Sequence, residues 1–267
     1  MIKKLDLFAN KVRNHVVDMT SRGNSSHVGS ALSIVDILSV LYCEIMNYDA
    51  KNPYLKERDR FILSKGHAGA AVYATLAEAG FFDSSELLNH YQNGSKFSGH
   101  VSHKGIPGVE ISTGSLGHGL GIGVGMAFQC KRKNINNRVF VLLSDGELDE
   151  GSNWEAFLFA SHHKLSNLIA IIDYNKLQSL TSVKETINLE PLKEKFIAFG
   201  CNVLEVDGHN HLELIKAFKK AKESKVPSII ICHTIKGKGI SFMENSVLWH
   251  YRSPQGEEYK KAKAELN

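Results

Sequence analysis

Asp145 and Asn175 are two oxygen donors thirty residues apart, each at the end of a short apolar run. Residues 139–143 are apolar and rich in β-branched side chains, and they stop at Ser144-Asp145-Gly146; residues 168–172 repeat the pattern and stop at Asp173-Tyr174-Asn175. Apolar runs of strand length, bounded by turn residues and separated by a helix-length segment, predict a strand–helix–strand unit of a parallel sheet. The carboxyl ends of such strands face the ligand crevice, so both side chains are expected at one edge. Two hard oxygen donors there suit a magnesium or calcium ion holding a phosphate ester. An Asp-Gly pair at a strand end equally suits a plain turn. Glu147, Asp149 and Glu150 suit the solvated first turn of a helix, where the dipole favours acids.

The elements that must carry this edge follow in chain order. Leu5, Phe8, Val12 and Val16 recur at three- and four-residue spacing and predict an amphipathic helix ending near Arg22-Gly23. Asn24-Ser25-Ser26-His27-Val28-Gly29 reads as a turn-rich loop. Residues 33–46, apolar on Ile34, Ile37, Leu38, Leu41 and Ile45, read as a deeply packed helix. Residues 60–64 predict a short strand that runs into Lys65-Gly66-His67-Ala68-Gly69-Ala70-Ala71, whose small residues let the backbone approach a ligand closely. An alanine-rich helix follows to about Gly80. Residues 92–113, with His100 and His103 and no periodicity, form a long loop of the kind that is often functional in a compact domain.

From Gly114 to Ala127 glycine recurs at nearly every second position, and no register gives the dinucleotide pattern GxGxxG after a strand. The stretch predicts a glycine turn and then a helix with Gly119, Gly123 and Ala127 on one face. Glycine costs about 1 kcal/mol per helical position against alanine, so close contacts, as at a subunit interface, are expected to offset it. Residues 201–206 and 228–234 predict two more strands around the turn Asp207-Gly208-His209-Asn210 and a helix marked by Leu212, Ile215 and Phe218. The charged tail from Ser253 reads as a surface helix. Alternating strands and helices indicate an α/β fold, a parallel β-sheet flanked by helices. With no repeat or linker, residues 1–267 form a single domain.

Composition narrows the function classes. The 267 residues are 43% hydrophobic and 22% charged, and the net charge of +4 is spread along the chain with no basic block longer than Lys131-Arg132-Lys133. That pattern argues against nucleic-acid binding. Cys43, Cys130, Cys201 and Cys232 are far apart and form no CxxC pair, which favours buried free thiols in a reducing compartment. The charged, helically spaced N-terminus does not read as a signal peptide. No apolar run approaches the roughly 18 residues of a membrane helix, so a cytoplasmic protein without a membrane partner is expected.

Taken in order, Ser26-His27, Leu63-Ser64-Lys65-Gly66-His67, Ser98-Gly99-His100, Gly114-Ser115-Leu116-Gly117, Ser144-Asp145-Gly146 with Asn175, Asp207-Gly208-His209 and Thr234-Ile235-Lys236-Gly237-Lys238-Gly239 resemble the motifs of transketolase, a thiamine-diphosphate enzyme. The resemblance covers essentially the whole chain, and it is more specifically to the N-terminal, diphosphate-binding subunit of split transketolases. It implies a magnesium (or calcium) ion on Asp145, Asn175 and the Leu177 carbonyl. It implies cofactor contacts from His67, Gly114, Ser115, Leu116, Gly146, Glu147 and Glu150, the last linking cofactor sites across a dimer, and a catalytic set of His27, His67, His100 and His250. Ser144 stands where the family has glycine, and His118 where glutamine is commoner. His162, His163, His209 and His211 read as structural.

The implied reaction moves a two-carbon ketol unit from a ketose phosphate to an aldose phosphate, with thiamine diphosphate as electron sink. The glutamate that activates the aminopyrimidine, and the arginines for the sugar phosphate, belong in this family to a pyrimidine-binding domain that the 267 residues lack. A C-terminal subunit carrying that domain is therefore the expected partner, in a heterotetramer of two copies of each chain. Other thiamine-diphosphate chemistries stay open: deoxyxylulose-phosphate synthesis, a 2-oxo acid dehydrogenase subunit, or transfer to a modified sugar or carrier-bound acceptor. So does a non-catalytic regulatory subunit.

Overall fold

The computed structural model describes residues 1–267. Its centre is one five-stranded sheet, made of β1 (Arg60–Leu63), β2 (Val139–Ser144), β3 (Leu168–Tyr174), β4 (Asn202–Asp207) and β5 (Ser228–His233). The spatial order is β1-β2-β3-β5-β4, and every pair is parallel. Parallel strands need crossovers, and helices supply them on both faces. That is why β2, β3 and β5 are continuous apolar runs rather than alternating ones. Phe140, Leu142, Ile169, Ile171, Ile230 and Cys232 face one core. Val139, Val141, Leu143, Leu168, Ala170, Ile172, Ile229 and Ile231 face the other.

The first core is covered by α1 (Ile2–Gly23), α2 (Val28–Leu32), α3 (Val35–Val40), α4 (Gly69–Glu78) and α9 (His211–Glu223). The second is covered by α5 (Gly119–Arg132), α6 (Gly151–His162) and α8 (Leu192–Ala198). The short α7 (Val183–Thr186) carries a capping box between Ser182 and Glu185, and α10 (Gly256–Leu266) lies along α1. The α/β architecture and the five strands agree with the sequence expectation; α7 and α8 lie outside it.

Two segments differ from expectation. The helix expected over residues 33–46 is divided: α2 starts already at Val28, the backbone leaves helical geometry at Ile34, and a wide π turn spans Leu41–Ile45. Ser33 explains the interruption, because its hydroxyl engages the Ser30 carbonyl at 3.0 Å and the Asp173 carboxylate at 2.7 Å. A side-chain hydroxyl drawn to such partners competes with helical geometry. The stretch Val28–Ile45 is also long and apolar enough, by composition, to cross a membrane, yet 89% of it is buried inside the fold; it is a core element.

The glycine helix α5 packs differently as well. Gly119 and Gly123 face the sheet, not a free surface. A Cβ at Gly119 would lie 2.7 Å from the Ser64 Cα, and one at Gly123 would lie 2.5 Å from a methyl of Val141. Close approach to β1 and β2 therefore offsets the glycine cost on this face. Gly121 and Gly125 face open space. Gly119→Ala is expected to lose about 1–3 kcal/mol through overpacking against backbone. Gly125→Ala should gain up to about 1 kcal/mol through helix propensity. Urea denaturation of the two variants checks the opposite signs.

Candidate functional site

Because the strands are parallel, β1, β2, β3 and β5 all deliver their carboxyl ends to one edge. The register aligns Ser144 with Asp173, and Asp173 with Cys232, across three adjacent strands. A cavity of about 260 Å³ opens at this edge. It is lined by Asp145, Asn175 and Leu177, by His27, His67, His100 and His250, and by Gly114, Leu116, Gly146, Ser30 and Lys236. Ten of the thirteen residues nominated from sequence thus meet in one cavity. Ser115 is exposed outside it.

Glu147 and Glu150 do not line the cavity either. A 3-10 turn at Gly146–Asp149 swings the Glu147 side chain beneath the cavity floor, where it is fully buried. Its carboxylate accepts from Ser64 Oγ at 2.5 Å, Gly117 N at 2.9 Å and Ser144 N at 3.3 Å. Burial raises its pKa above the usual carboxylate range. Glu147 braces the glycine turn from below and does not line the cavity. Glu150 is exposed, its Cβ 2.7 Å from where a side chain at Gly117 would begin. A solvated first turn fails for Glu147.

Under the cavity lies a fully buried ion pair, Lys65 Nζ to Asp173 Oδ2 at 2.5 Å. Lys65 also donates to the Ser30 carbonyl at 3.0 Å. Asp173 further accepts from Ser33 Oγ, Asn175 Nδ2 (3.1 Å) and Thr234 Oγ1. Although burial opposes it, Lys65 and these donors hold the carboxyl below its usual pKa. The sequence motifs contained both residues but gave neither a role.

Asp145 is in the opposite state. Its oxygens accept only backbone donors, Gly146 N at 2.7 Å and Lys176 N at 2.5 Å. Burial and the charge of Asp173 push its pKa up to about 7. A buried carboxylate in that condition is short of positive charge. Asn175 Oδ1, which accepts from Leu177 N at 3.1 Å, and the Leu177 carbonyl stand beside it as neutral oxygen donors. No group of three or more His, Cys, Asp or Glu side chains could hold a metal. A cation here would thus meet one carboxylate, one amide and one carbonyl, the hard-oxygen set of magnesium or calcium rather than zinc. The donor set fits such an ion.

Four histidines make an imidazole wall. His27 sits at its centre, with ring centroids 5.1 Å from His67, 5.5 Å from His100 and 5.0 Å from His250. Its backbone is left-handed, φ 76°, a conformation uncommon for non-glycine residues and found at constrained functional positions. His67 pairs with Ser30 Oγ at 2.8 Å. Lys236 Nζ directs its three protons to the Leu177 carbonyl (3.1 Å), the Gln178 carbonyl (2.8 Å) and His250 Nδ1 (2.9 Å). His250 Nδ1 is therefore an acceptor, and its neutral ring carries the proton on Nε2. Lys236 was missed in the sequence as a site residue, although it sits inside the Thr234–Gly239 motif. Burial, with Lys65 nearby, lowers its pKa to about 8.

Burial first, and then neighbouring charges, lower His27 to about 4 and His250 to about 3, and hold His67 well below its usual value. Burial also lowers His100. At neutral pH the wall is uncharged and can both donate to and accept from hydroxyls. His209 and His211, read as structural, bond Asp36 away from the cavity.

Comparison with known proteins places this geometry among relatives. The pattern described as "Transketolase, thiamine diphosphate binding domain" matches residues 5–267. One of the named subunits of the apulose-4-phosphate transketolase of Phocaeicola vulgatus is 38% identical, over 100% of this chain and 95% of that protein. The 6-deoxy-6-sulfo-D-fructose transketolase subunit SqwG of Clostridium sp. is 40% identical, over 97% of this chain and 94% of its own length. Human transketolase is 42% identical over 91% of this chain but only 38% of its own. The crystal structure of Campylobacter jejuni transketolase superposes with a TM-score of 0.93 at 37% identity, covering 100% of this chain and 43% of that one.

Two outcomes test the site chemistry. Lys65→Met leaves Asp173 charged and unpaired in the interior and is expected to cost about 3–5 kcal/mol, read by denaturant unfolding. His27 takes up a proton in the unfolded chain near pH 6.5 but in the folded chain only near 4. The unfolded state then binds more protons between those values, so stability is full above about 6.5 and falls as pH drops toward 4. His27→Gln should flatten that part of the stability–pH curve.

Proposed function

The chain belongs to the transketolase family, as its thiamine-diphosphate-binding portion, and on that premise we propose that it is the cofactor-anchoring half of a two-chain ketol transferase. The observation that carries the reading is the one cavity that Asp145, Asn175 and Leu177 line together with the four histidines. Asp145, Asn175 and the Leu177 carbonyl would hold a magnesium or calcium ion, and through it the diphosphate. Lys236, bonded to the Leu177 and Gln178 carbonyls and to His250, adds the one cavity-lining positive side chain suited to an anionic cofactor. Gly114, Leu116 and Gly146 offer backbone at closely approachable positions. Thiamine diphosphate, when bound, supplies an electron sink for breaking the carbon–carbon bond beside a ketose carbonyl.

The chain's own residues do the rest. His27 and His100 present neutral imidazoles to the hydroxyls of a polyol, orienting donor and acceptor in turn. His250 holds a proton on Nε2 because Lys236 occupies Nδ1, and it can deliver that proton to an oxygen. His67, fixed by Ser30, is placed to exchange another. Small rings bonded to buried partners need little rearrangement between donor and acceptor half-reactions.

A separate partner is supported by two coverages. The chain spans 95% of the apulose-4-phosphate transketolase chain it matches, but 38–43% of transketolases named without any division into subunits. We assign the aminopyrimidine-activating acid and the sugar-phosphate anchor to that partner. The exposed face formed by Gly121, Ile122 and Gly125 of α5 with Leu158 and Phe159 of α6 would serve the contact between two copies of this chain in a heterotetramer. Free cysteines favour a cytoplasmic setting. Relatives named for modified sugars make a phosphorylated or sulfonated ketose as good a donor class as xylulose 5-phosphate.

The chain should be purified alone and with its genomic neighbour, and assayed with a panel of ketose donors and ribose 5-phosphate. Transfer is expected only in the mixture, and Asp145→Ala should lower it by about a hundredfold or more, the scale of losing an anchored charge partner. Full activity from this chain alone would refute the two-chain reading.

A further inference from the structure

The segment Thr234–Gly239, which carries Lys236 into the cavity, has few apolar anchors and two glycines at positive φ, Gly237 and Gly239. Gly237 N donates to the Gly29 carbonyl and the Lys236 carbonyl accepts from Asn245 N, both at 2.9 Å, and further ties reach the segment from outside the cavity. Ile235 N donates to His209 Nε2 at 2.8 Å. At its other end the Lys238 carbonyl accepts from Arg13 Nε at 3.2 Å. His209 and Arg13 come from different elements, the turn before α9 and the helix α1, and they share one partner. Asp36 Oδ2 accepts from Arg13 Nη2 at 2.5 Å and from His209 Nδ1 at 2.8 Å, while Oδ1 accepts from His211 Nε2 at 3.0 Å. Asp36 is 5% exposed.

The hydrogen-bond roles are forced. A backbone N–H can only donate, so His209 Nε2 is an acceptor and the ring proton sits on Nδ1, pointed at Asp36. The carboxylate therefore selects the tautomer that the segment needs, as second-layer carboxylates do for metal-bound histidines. It also orients the Arg13 guanidinium so that Nε is free for Lys238. One buried charge thus grips the residues on both sides of Lys236: Ile235 through histidine, Lys238 through arginine.

We propose that Asp36 is a positioning residue for cofactor binding: through His209 and Arg13 it sets the Lys236 ammonium against the Leu177 carbonyl and His250. The inference rests on the thiamine-diphosphate reading for its consequence, but not for its geometry. Asp36→Asn removes the charge and leaves one accepting oxygen for three donors, so its NH₂ must face either His211 or the Arg13–His209 pair. Where the NH₂ faces that pair, His209 takes the other tautomer, Ile235 N loses its acceptor, and Lys236 is held less firmly.

The test is a double-mutant cycle on the two-chain complex, with thiamine diphosphate and magnesium binding read by calorimetry at a temperature where circular dichroism shows every variant folded. Asp36→Asn is expected to weaken binding about tenfold, the order of one well-placed charged hydrogen bond. In a Lys236→Met background the same change should matter less than about twofold. Equal losses in both backgrounds would overturn the proposal, since a general loosening does not need Lys236. His209→Gln, which leaves the Asp36–Arg13 pair intact, should give a smaller loss that also vanishes with Lys236→Met, and it stands in if Asp36→Asn does not fold.

Histidine ¹⁵N spectra of the chain without cofactor read the geometry directly. His209 should carry its proton on Nδ1, and the His250 Nδ1 signal should shift in Asp36→Asn. A wild-type complex that binds no thiamine diphosphate removes the cofactor reading alone. An unchanged His250 signal in Asp36→Asn removes the positioning role alone.

Discussion

Everything at the carboxyl edge of the sheet depends on one buried ion pair. Lys65 follows β1, Asp173 ends β3, and neither exposes any surface. Taking both charges out of water costs several kcal/mol each, and attraction between them offsets this only when the remaining lone pairs and protons are also satisfied. Here Ser33, Asn175 and Thr234 fill the Asp173 oxygens and Lys65 reaches a second acceptor, and these satisfying groups are the site. Ser33 ties in the break between α2 and α3, Thr234 ties in the segment after β5, and Ser30 receives Lys65 while turning its hydroxyl to His67. The pair is a poor source of stability and a good source of position. A lone strand end could not bring four chain segments to one point.

The same pair decides what the neighbouring polar groups can do. Asn175 gives its NH₂ to Asp173 and receives Leu177 N on its oxygen, so the amide cannot flip without breaking both bonds. Its oxygen is thereby kept beside Asp145. Asp145 feels Asp173 as a repelling charge and has no cation of its own. One carboxylate is neutralised by protein; its neighbour is left for something the chain does not encode. Two acids close in space with unequal compensation are a physical signature of a cation seat, and that inequality survives in surroundings otherwise rich in lysine and imidazole.

How much of this could be read from the sequence follows from range. Asp145 and Asn175 were readable because the strand runs that precede them are local signals and the sheet edge is a topological consequence. His27, His67, His100 and His250 were readable only as members of short motifs, and their meeting around His27 is a tertiary fact. Lys65 and Asp173 could not be paired, since no local pattern states that a lysine will find an aspartate 108 residues on. The family resemblance assigns Glu147 to the cofactor, yet the 3-10 turn rotates it under the floor to brace Gly117. Periodicity identified which face of α5 is glycine-rich but not what lies against it, and the answer was the sheet. Asp36 reads as one polar residue in an apolar helix; only the structure shows two histidines and an arginine converging on it.

The arrangement also bears on whether such a site can be shared between chains. Both faces of the sheet are covered by helices, and the strands β2, β3 and β5 bury nearly all their side chains without help. Nothing in the core waits for another domain. Large apolar side chains left uncovered include Tyr251, at 61% exposure in the cavity lining, and Ile122, Leu158 and Phe159 on α5 and α6. A partner binding at the mouth would add a roof and exclude water, which strengthens every electrostatic contact inside. It would not have to complete the hydrophobic core. On the two-chain reading, folding and catalysis would make separate demands on this chain: the two cores serve the first, and closing the open edge would serve the second.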